Sequence, residues 1–291
     1  MAHIHKVNGQ DYVIEIFEDH YLQGWKLEKE LLSKKSKFQQ VDVVKTKSLG
    51  NMLLNDNLVM TSDRDEFAYH EMMAHVPLFT HPDPKNVLII GGGDGGTARE
   101  VLRHKSVASC VMVEIDEVVV EACKEFIPTT SNELDNSRLE LLIDDGVKYV
   151  AETNRKFDVV LVDSTDPIGP GAPLFGEEFY KNVKRLLNPK GVVVSQAESG
   201  WYLKENQQSL LSVLKNQFKN IGLYNYSNIT YPGGLWSFSW ASDELHPIHD
   251  FNERRVAESG LDFKYYNSKL HTAAFCLPQF YYNSIGEYIN I

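Results

Sequence analysis

Val87-Leu88-Ile89-Ile90 runs straight into Gly91-Gly92-Gly93-Asp94-Gly95-Gly96, and this stretch constrains the fold more than any other. An apolar run with no polar face reads as a strand buried on both sides. The glycines then allow a tight turn into a helix that reaches about His104. The same rhythm repeats downstream. Cys110-Val111-Met112-Val113 ends at Glu114 and is followed by a helix through about Phe126. Leu139 to Ile143 and Phe157 to Val162 read as further strands. Gly191 to Ser195 and about Gly222 to Ile229 continue the series.

Strands apolar on both faces, alternating with helices, predict a doubly wound, mostly parallel α/β sheet. The expected architecture is Rossmann-like. Its ligands should sit at the carboxyl ends of the strands. Residues 1–61 look different. Tyr12-Val13-Ile14-Glu15-Ile16 and Val41-Asp42-Val43-Val44 are β-rich, and Gly50-Asn51 and Asn55-Asp56-Asn57 punctuate like hairpin turns. They predict a small antiparallel β domain ahead of a catalytic domain over 62–291. Ser62 offers an N-cap for a helix from about Asp63 to Phe79, and Pro82 and Pro84 end that segment.

The 291 residues carry a net charge of −11, which argues against a nucleic-acid partner and suits a cationic substrate. No apolar run approaches the ~20 residues of a membrane span. Met1 to Lys6 lacks the apolar core of a signal peptide, so the expected location is cytoplasmic. Asn228-Ile229-Thr230 matches a glycosylation sequon, which a cytoplasmic chain leaves unused. Cys110, Cys123 and Cys276 are odd in number and widely spaced. Reduced, mostly buried thiols are expected rather than a disulfide or zinc framework.

Gly91, Gly93 and Gly96 satisfy the dinucleotide fingerprint, with Glu114 placed to accept from ribose hydroxyls. Asp94 separates the candidate cofactors. In a dinucleotide site this turn faces a pyrophosphate, and a carboxylate beside it would cost on the order of several kcal/mol. A sulfonium cofactor has no phosphate, and once decarboxylated it ends in an ammonium that attracts Asp94. The bland alternative is that Asp94 points to solvent or caps the helix. At the next strand end Asp144 reads as solvent-exposed, and Asp145, beside Gly146, is the better partner for an adenine amino group.

Asp163-Ser164-Thr165-Asp166 closes another strand and leads into Pro167, Pro170 and Pro173. Paired acids on a stiffened loop suit amine recognition. One can take a proton from the attacking nitrogen while the other positions the diamine. A divalent metal is the rival reading, without a histidine nearby to support it. A turn rich in Asp and Pro for its own sake is the bland one. His70-Glu71-Met72-Met73-Ala74-His75 resembles a zinc motif, but histidines at i and i+5 do not share a helix face. Tyr231-Pro232-Gly233-Gly234-Leu235-Trp236 reads as an aromatic loop, either walling a pocket or packing as ordinary core.

Together these stretches resemble the spermidine synthase family, over about Phe38 to Phe280. Asp65 to Glu71, Gly91 to Gly96, Glu114-Ile115-Asp116, Asp145-Gly146, Asp163 to Gly169, Thr230 to Gly234 and His271 to Phe275 carry the likeness. The resemblance implies an enzyme that moves the aminopropyl group of decarboxylated S-adenosylmethionine to putrescine, giving spermidine and methylthioadenosine. It implies that Gln39, Glu114, Asp145, Gly146 and Pro170 contact the nucleoside and that Asp94 holds the aminopropyl ammonium. Asp163 would be the proton acceptor, assisted by Tyr69. Tyr69, His70, Asp166 and Tyr231 would line the diamine site, with Gln196 and Trp236 at its border. It also implies no metal, no tightly bound cofactor and a homodimer or homotetramer. Residues 166–175 would form a lid. The rivals are a diamine N-methyltransferase, an aminopropyltransferase with another acceptor, a silent polyamine or nucleoside binder, and a nicotinamide dehydrogenase.

Overall fold

Antiparallel pairing between sequence neighbours builds the first part of the chain: β1 (Ile4–Val7), β2 (Gln10–Phe17), β3 (Tyr21–Lys35), β4 (Gln40–Thr46), β5 (Gly50–Asn55) and β6 (Leu58–Ser62). The computed structural model describes residues 2–165 and 169–291, apart from the side chains of 169 and 170. The six strands follow in order across one sheet. Asp56 and Asn57, with φ of +47° and +70°, form the left-handed two-residue turn between β5 and β6. Gly50-Asn51 does not turn. It opens β5, and residues 47–49 form the bend before it.

Helix α1 (Phe67–Thr80) begins later than the Ser62 cap predicts. Ser62 ends β6, and its hydroxyl donates to Asp65 Oδ1 at 2.5 Å. The other oxygen of Asp65 accepts the Thr230 N–H at 2.8 Å. That long-range bond holds residues 63–66 in a turn and delays the helix. Ala68 through Thr80 are all buried, so α1 has no polar face to show in the sequence.

Strand–helix alternation then follows as predicted. It comprises β7 (Asn86–Gly91), α2 (Gly96–Arg103), β8 (Ser109–Glu114), α3 (Glu117–Phe126), α4 (Pro128–Ser131), β9 (Leu139–Ile143), α5 (Gly146–Glu152), β10 (Phe157–Asp163) and a 3-10 segment over Gly169–Phe175. The series continues with α6 (Glu177–Leu186), β11 (Leu187–Gln196), α7 (Lys204–Gln217), β12 (Asn220–Ser227) and β13 (Leu235–Ser242). Helices α8 (Glu253–Glu258), α9 (Ser268–Ala273) and α10 (Gln279–Ile285) close it. The sheet order is β12-β13-β11-β10-β7-β8-β9. Pairing is parallel from β11 through β9 and antiparallel where β13 meets β11 and β12.

The antiparallel edge corrects the sequence reading. Trp236 lies within β13, not in a loop. The connection from β12 is too short for a crossover helix, so β13 must return antiparallel. Strand β9 also departs from expectation, because as an edge strand it leaves Ile143 44% exposed.

Alternate residues of each central strand serve two cores. Val87, Ile89, Cys110, Met112, Val159 and Leu161 pack with α1 and α2. Leu88, Ile90, Val111, Val113, Val160 and Val162 pack on the opposite face with α6 and α7. Each such side chain contributes about 1.5–3 kcal/mol by leaving water. Cys110 and Cys123 are buried, and Cys276 is exposed. No helix among the described residues is long and apolar enough to cross a membrane.

The C-terminal segment is tied to α1 by Glu71, whose carboxylate accepts the backbone N–H groups of Lys264, Tyr265 and Tyr266 at 2.9, 2.8 and 2.7 Å. Glu71→Ala strands those donors. Unfolding free energy should fall by about 3 kcal/mol, since a hydrogen bond to a charged acceptor contributes roughly 1.5–3 kcal/mol and loss of all three is partly relieved by water. The expected readout is a lower urea midpoint at unchanged slope, with partial recovery in Glu71→Gln.

Candidate active site

The switch point of the sheet lies between β7 and β10, which leave in opposite directions from the middle of the strand order. The carboxyl ends of β7, β8, β10 and β11 open there into a cavity of about 250 Å³. Gly91 makes this close convergence possible. Its φ is +84°, and a Cβ would overlap the Asp163 carbonyl oxygen. The Gly92 N–H donates to that same oxygen at 2.9 Å. The glycine turn and the end of β10 are thus fastened side by side.

Asp94 both caps a helix and lines the cavity. Oδ1 accepts the Gly96 N–H at 2.6 Å, capping the start of α2. Oδ2 lies 3.4 Å from His70 Nε2, and the residue lines the cavity. His70 Nδ1 is 2.6 Å from Glu66 Oε2, and Glu66 in turn pairs with Arg99 at 2.8 Å. Burial opposes charge on His70, but Asp94 and Glu66 outweigh it and push the imidazole up to about 10. Burial likewise opposes charge on Glu66, and His70 and Arg99 outweigh it, holding the carboxyl near 2. At neutral pH the ring is an imidazolium between two carboxylates. The other members of the zinc-like run go elsewhere. Glu71 holds the C-terminal segment, and His75 pairs with Glu100 and His104, each at 2.9 Å.

Asp163 is gripped by two hydroxyls. Tyr69 donates to Oδ1 at 2.7 Å, and Thr97 donates to Oδ2 at 2.6 Å. Burial raises the Asp163 pKa above the ordinary carboxyl value, and the Asp94 charge adds to the rise. The His70 charge and the two hydroxyls act in the other direction. Burial and Asp163 raise the Tyr69 pKa well above its usual value, so the phenol keeps its proton.

On the opposite side Glu114 ends β8 and is nearly buried. Burial pushes its carboxyl up to about 7, against the Asp116 backbone N–H that donates at 2.8 Å. Gln39 reaches this side from the β3–β4 connection. Its amide donates to Asp116 Oδ2 at 3.0 Å, beside the Ser36 hydroxyl at 2.7 Å. Asp145 Oδ1 accepts from Val147 N at 2.8 Å and caps α5, and Gly146 is buried behind it. Tyr231 donates to the Met60 carbonyl at 2.8 Å, and Trp236 Nε1 to the Pro232 carbonyl at 2.9 Å.

Gln39, Tyr69, His70, Asp94, Glu114, Asp145, Gly146, Asp163, Gln196, Tyr231 and Trp236 all line this one cavity. Asp166 lies outside the described residues, as does the Pro170 side chain, so the first part of the expected lid is outside them too. Other polar residues escaped the sequence reading, among them Thr97, which bonds Asp163 from behind, and Glu15 on the cavity wall. Thr97 follows the last glycine of the turn and looks like any early helix residue. Glu15 sits on β2 against the cavity, with its carboxylate accepting from Gln23 at 2.7 Å. Strand alternation hid it, because the acid is buried while neighbouring Ile16 is 45% exposed.

Residues 66–253 match the family described as spermine/spermidine synthase domain, and residues 13–63 match the spermidine synthase tetramerisation domain. A polyamine aminopropyltransferase of Methanocaldococcus jannaschii is 47% identical over 261 residues, covering 88% of this chain and 89% of that protein. One from Bacillus cereus is 43% identical over 255 residues, covering 88% and 92%. A crystal structure of spermidine synthase in complex with the transition-state analogue AdoDATO matches with a TM-score of 0.93, 38% identity and 95% coverage of each chain. That of spermidine synthase from Thermotoga maritima matches at 0.90 and 36%, covering 94% of each.

The ion pairs of His70 should make stability fall with rising pH. A pKa raised from 6.5 to about 10 means their contribution is complete below pH 6.5 and is lost as the pH climbs through 10. The stability gap between the native chain and His70→Asn should therefore shrink across pH 7–10 in denaturant titrations. A gap independent of pH would show that the ring is neutral.

Proposed function

The chain belongs to the spermidine synthase family of polyamine aminopropyltransferases, and from that premise we propose that it joins the aminopropyl group of decarboxylated S-adenosylmethionine to putrescine, releasing spermidine and methylthioadenosine. The carrying observation is the grip of Tyr69 on Asp163, a carboxylate of raised proton affinity beside Asp94. Both substrates are cations. Among the described residues lining it, the cavity sets Asp94, Asp163, Glu114 and Glu15 around them against the cation of His70, so its charge favours both.

The roles divide along the cavity. Gln39, Glu114, Asp145, Gly146 and Pro170 hold the nucleoside half, with Glu114 accepting from ribose hydroxyls. Asp94 takes the aminopropyl ammonium. Its second oxygen remains toward the cavity while the first caps α2, which fixes its direction. Tyr69, His70 and Tyr231 line the diamine channel, with Gln196 and Trp236 at the border, and Asp166, outside the described residues, is assigned to the diamine by the family resemblance.

An ammonium has no lone pair to attack with. Asp163 removes one proton from the diamine, and burial makes it basic enough to do so. Tyr69 remains protonated and orients the carboxylate. The neutral nitrogen then displaces the sulfonium at the adjoining carbon, and methylthioadenosine leaves without needing a proton. The sulfonium already activates the carbon, so the protein supplies alignment, deprotonation and exclusion of water. The match of residues 13–63 supports a homodimer or homotetramer built through the first sheet. The division between the two parts is placed at 61/62, near the end of β6.

Incubation with putrescine and decarboxylated S-adenosylmethionine should yield spermidine and methylthioadenosine by mass. A methylated diamine, or no turnover of putrescine where another amine reacts, would overturn the assignment. Asp163→Asn should lower kcat by roughly 10²–10⁴ with modest change in the KM of the sulfonium substrate. Near-normal turnover would remove Asp163 from the role of base.

A further inference from the structure

Thr97 has a fixed task beyond forming α2. It is the second residue of that helix and fully buried. Its hydroxyl donates at 2.6 Å to Asp163 Oδ2. That oxygen is walled on its other side by Gly92, where a Cβ would come within 3.0 Å. With Tyr69 on Oδ1, both oxygens of the carboxylate are tied, one from α1 and one from α2. A carboxylate held by a single donor can turn about its Cβ–Cγ bond. Held by two, from different helices, it presents a fixed lone pair.

We infer that Thr97 is a positioning residue for the aminopropyl transfer, locking the plane of the Asp163 carboxylate. The inference rests on Asp163 being the proton acceptor. The first turn of α2 then controls both acids near the amine: the Gly96 N–H fixes Asp94, and the Thr97 hydroxyl fixes Asp163. Among the described residues, the charged and titratable groups facing Asp163 are Asp94 from the glycine turn, Glu114 from β8, and His70 and Tyr69 from α1. Asp94 and Glu114 oppose its ionisation, and His70, Tyr69 and Thr97 favour it. Loss of the Thr97 hydroxyl therefore tips the carboxyl toward its protonated form.

The test compares Thr97→Val, which keeps the shape without the hydroxyl, with Thr97→Ser, which keeps the hydroxyl, and with Asp163→Asn. Thr97→Val should lower kcat by roughly tenfold, leave the KM of the sulfonium substrate nearly unchanged, and move the acidic limb of the kcat profile up by about one pH unit. Thr97→Ser should recover most of kcat and the native limb. A Thr97→Val enzyme with native kcat and pH profile overturns the inference, provided Asp163→Asn is inactive. Equal losses in Thr97→Val and Thr97→Ser, tracking a lower melting temperature and an unmoved limb, overturn it too, because they mark a packing role. An active Asp163→Asn overturns the proton-acceptor reading and this inference with it.

Discussion

Two strand ends meet at the switch point because one residue between them has no side chain. Gly91 lets the turn after β7 lie against the backbone of Asp163, and the Gly92 N–H seals the contact at 2.9 Å. Everything in the cavity is registered to that seam. Asp94 is carried toward the opening by the turn. Asp163 is held beside it, and α2 starts where both carboxylates can be reached. A side chain at Gly91 would push β7 and β10 apart. The charge arrangement would then disperse before any contact with substrate was lost.

Clustering acids in a nearly buried space is unfavourable, and the structure offsets it on one side more than the other. Near Asp94, the imidazolium of His70 sits between two carboxylates, and Arg99 compensates Glu66 from behind. Asp163 receives neutral hydroxyls instead, which orient it while leaving its proton affinity high. Glu114 has backbone donors and rises to about 7. The proposed chemistry uses the raised proton affinity of Asp163 to accept a proton and the carboxylate of Asp94 to bind a cation.

The first sheet is part of the site as well as a neighbour to it. Gln39 reaches across to Asp116, which itself caps α3, and Glu15 reaches the cavity from β2. Gln23 on β3 joins the two parts again by donating to the Thr230 carbonyl at 2.7 Å. A rearrangement of the first sheet would therefore alter both ends of the cavity.

The alternation of apolar runs with helices, the glycine turn, and the acids at strand ends were all legible along the chain. They depend on local periodicity and on where a backbone must turn. These features suffice for the α/β class, for the first antiparallel sheet, and for the strand-end acids of the cavity wall, Asp94, Glu114 and Asp163, whereas Gln39, Tyr69 and His70 were reached through the family resemblance. Tertiary structure decided the rest. The reversal of β13 arises from a connection too short to cross over. The late start of α1 arises because Asp65 is claimed by Thr230, distant in sequence. Glu15 faces inward against its strand's apolar pattern, and Thr97 matters through an acid on another strand. Each depends on a partner far along the chain, and a pattern read over neighbouring residues carries no information about where such a partner will lie.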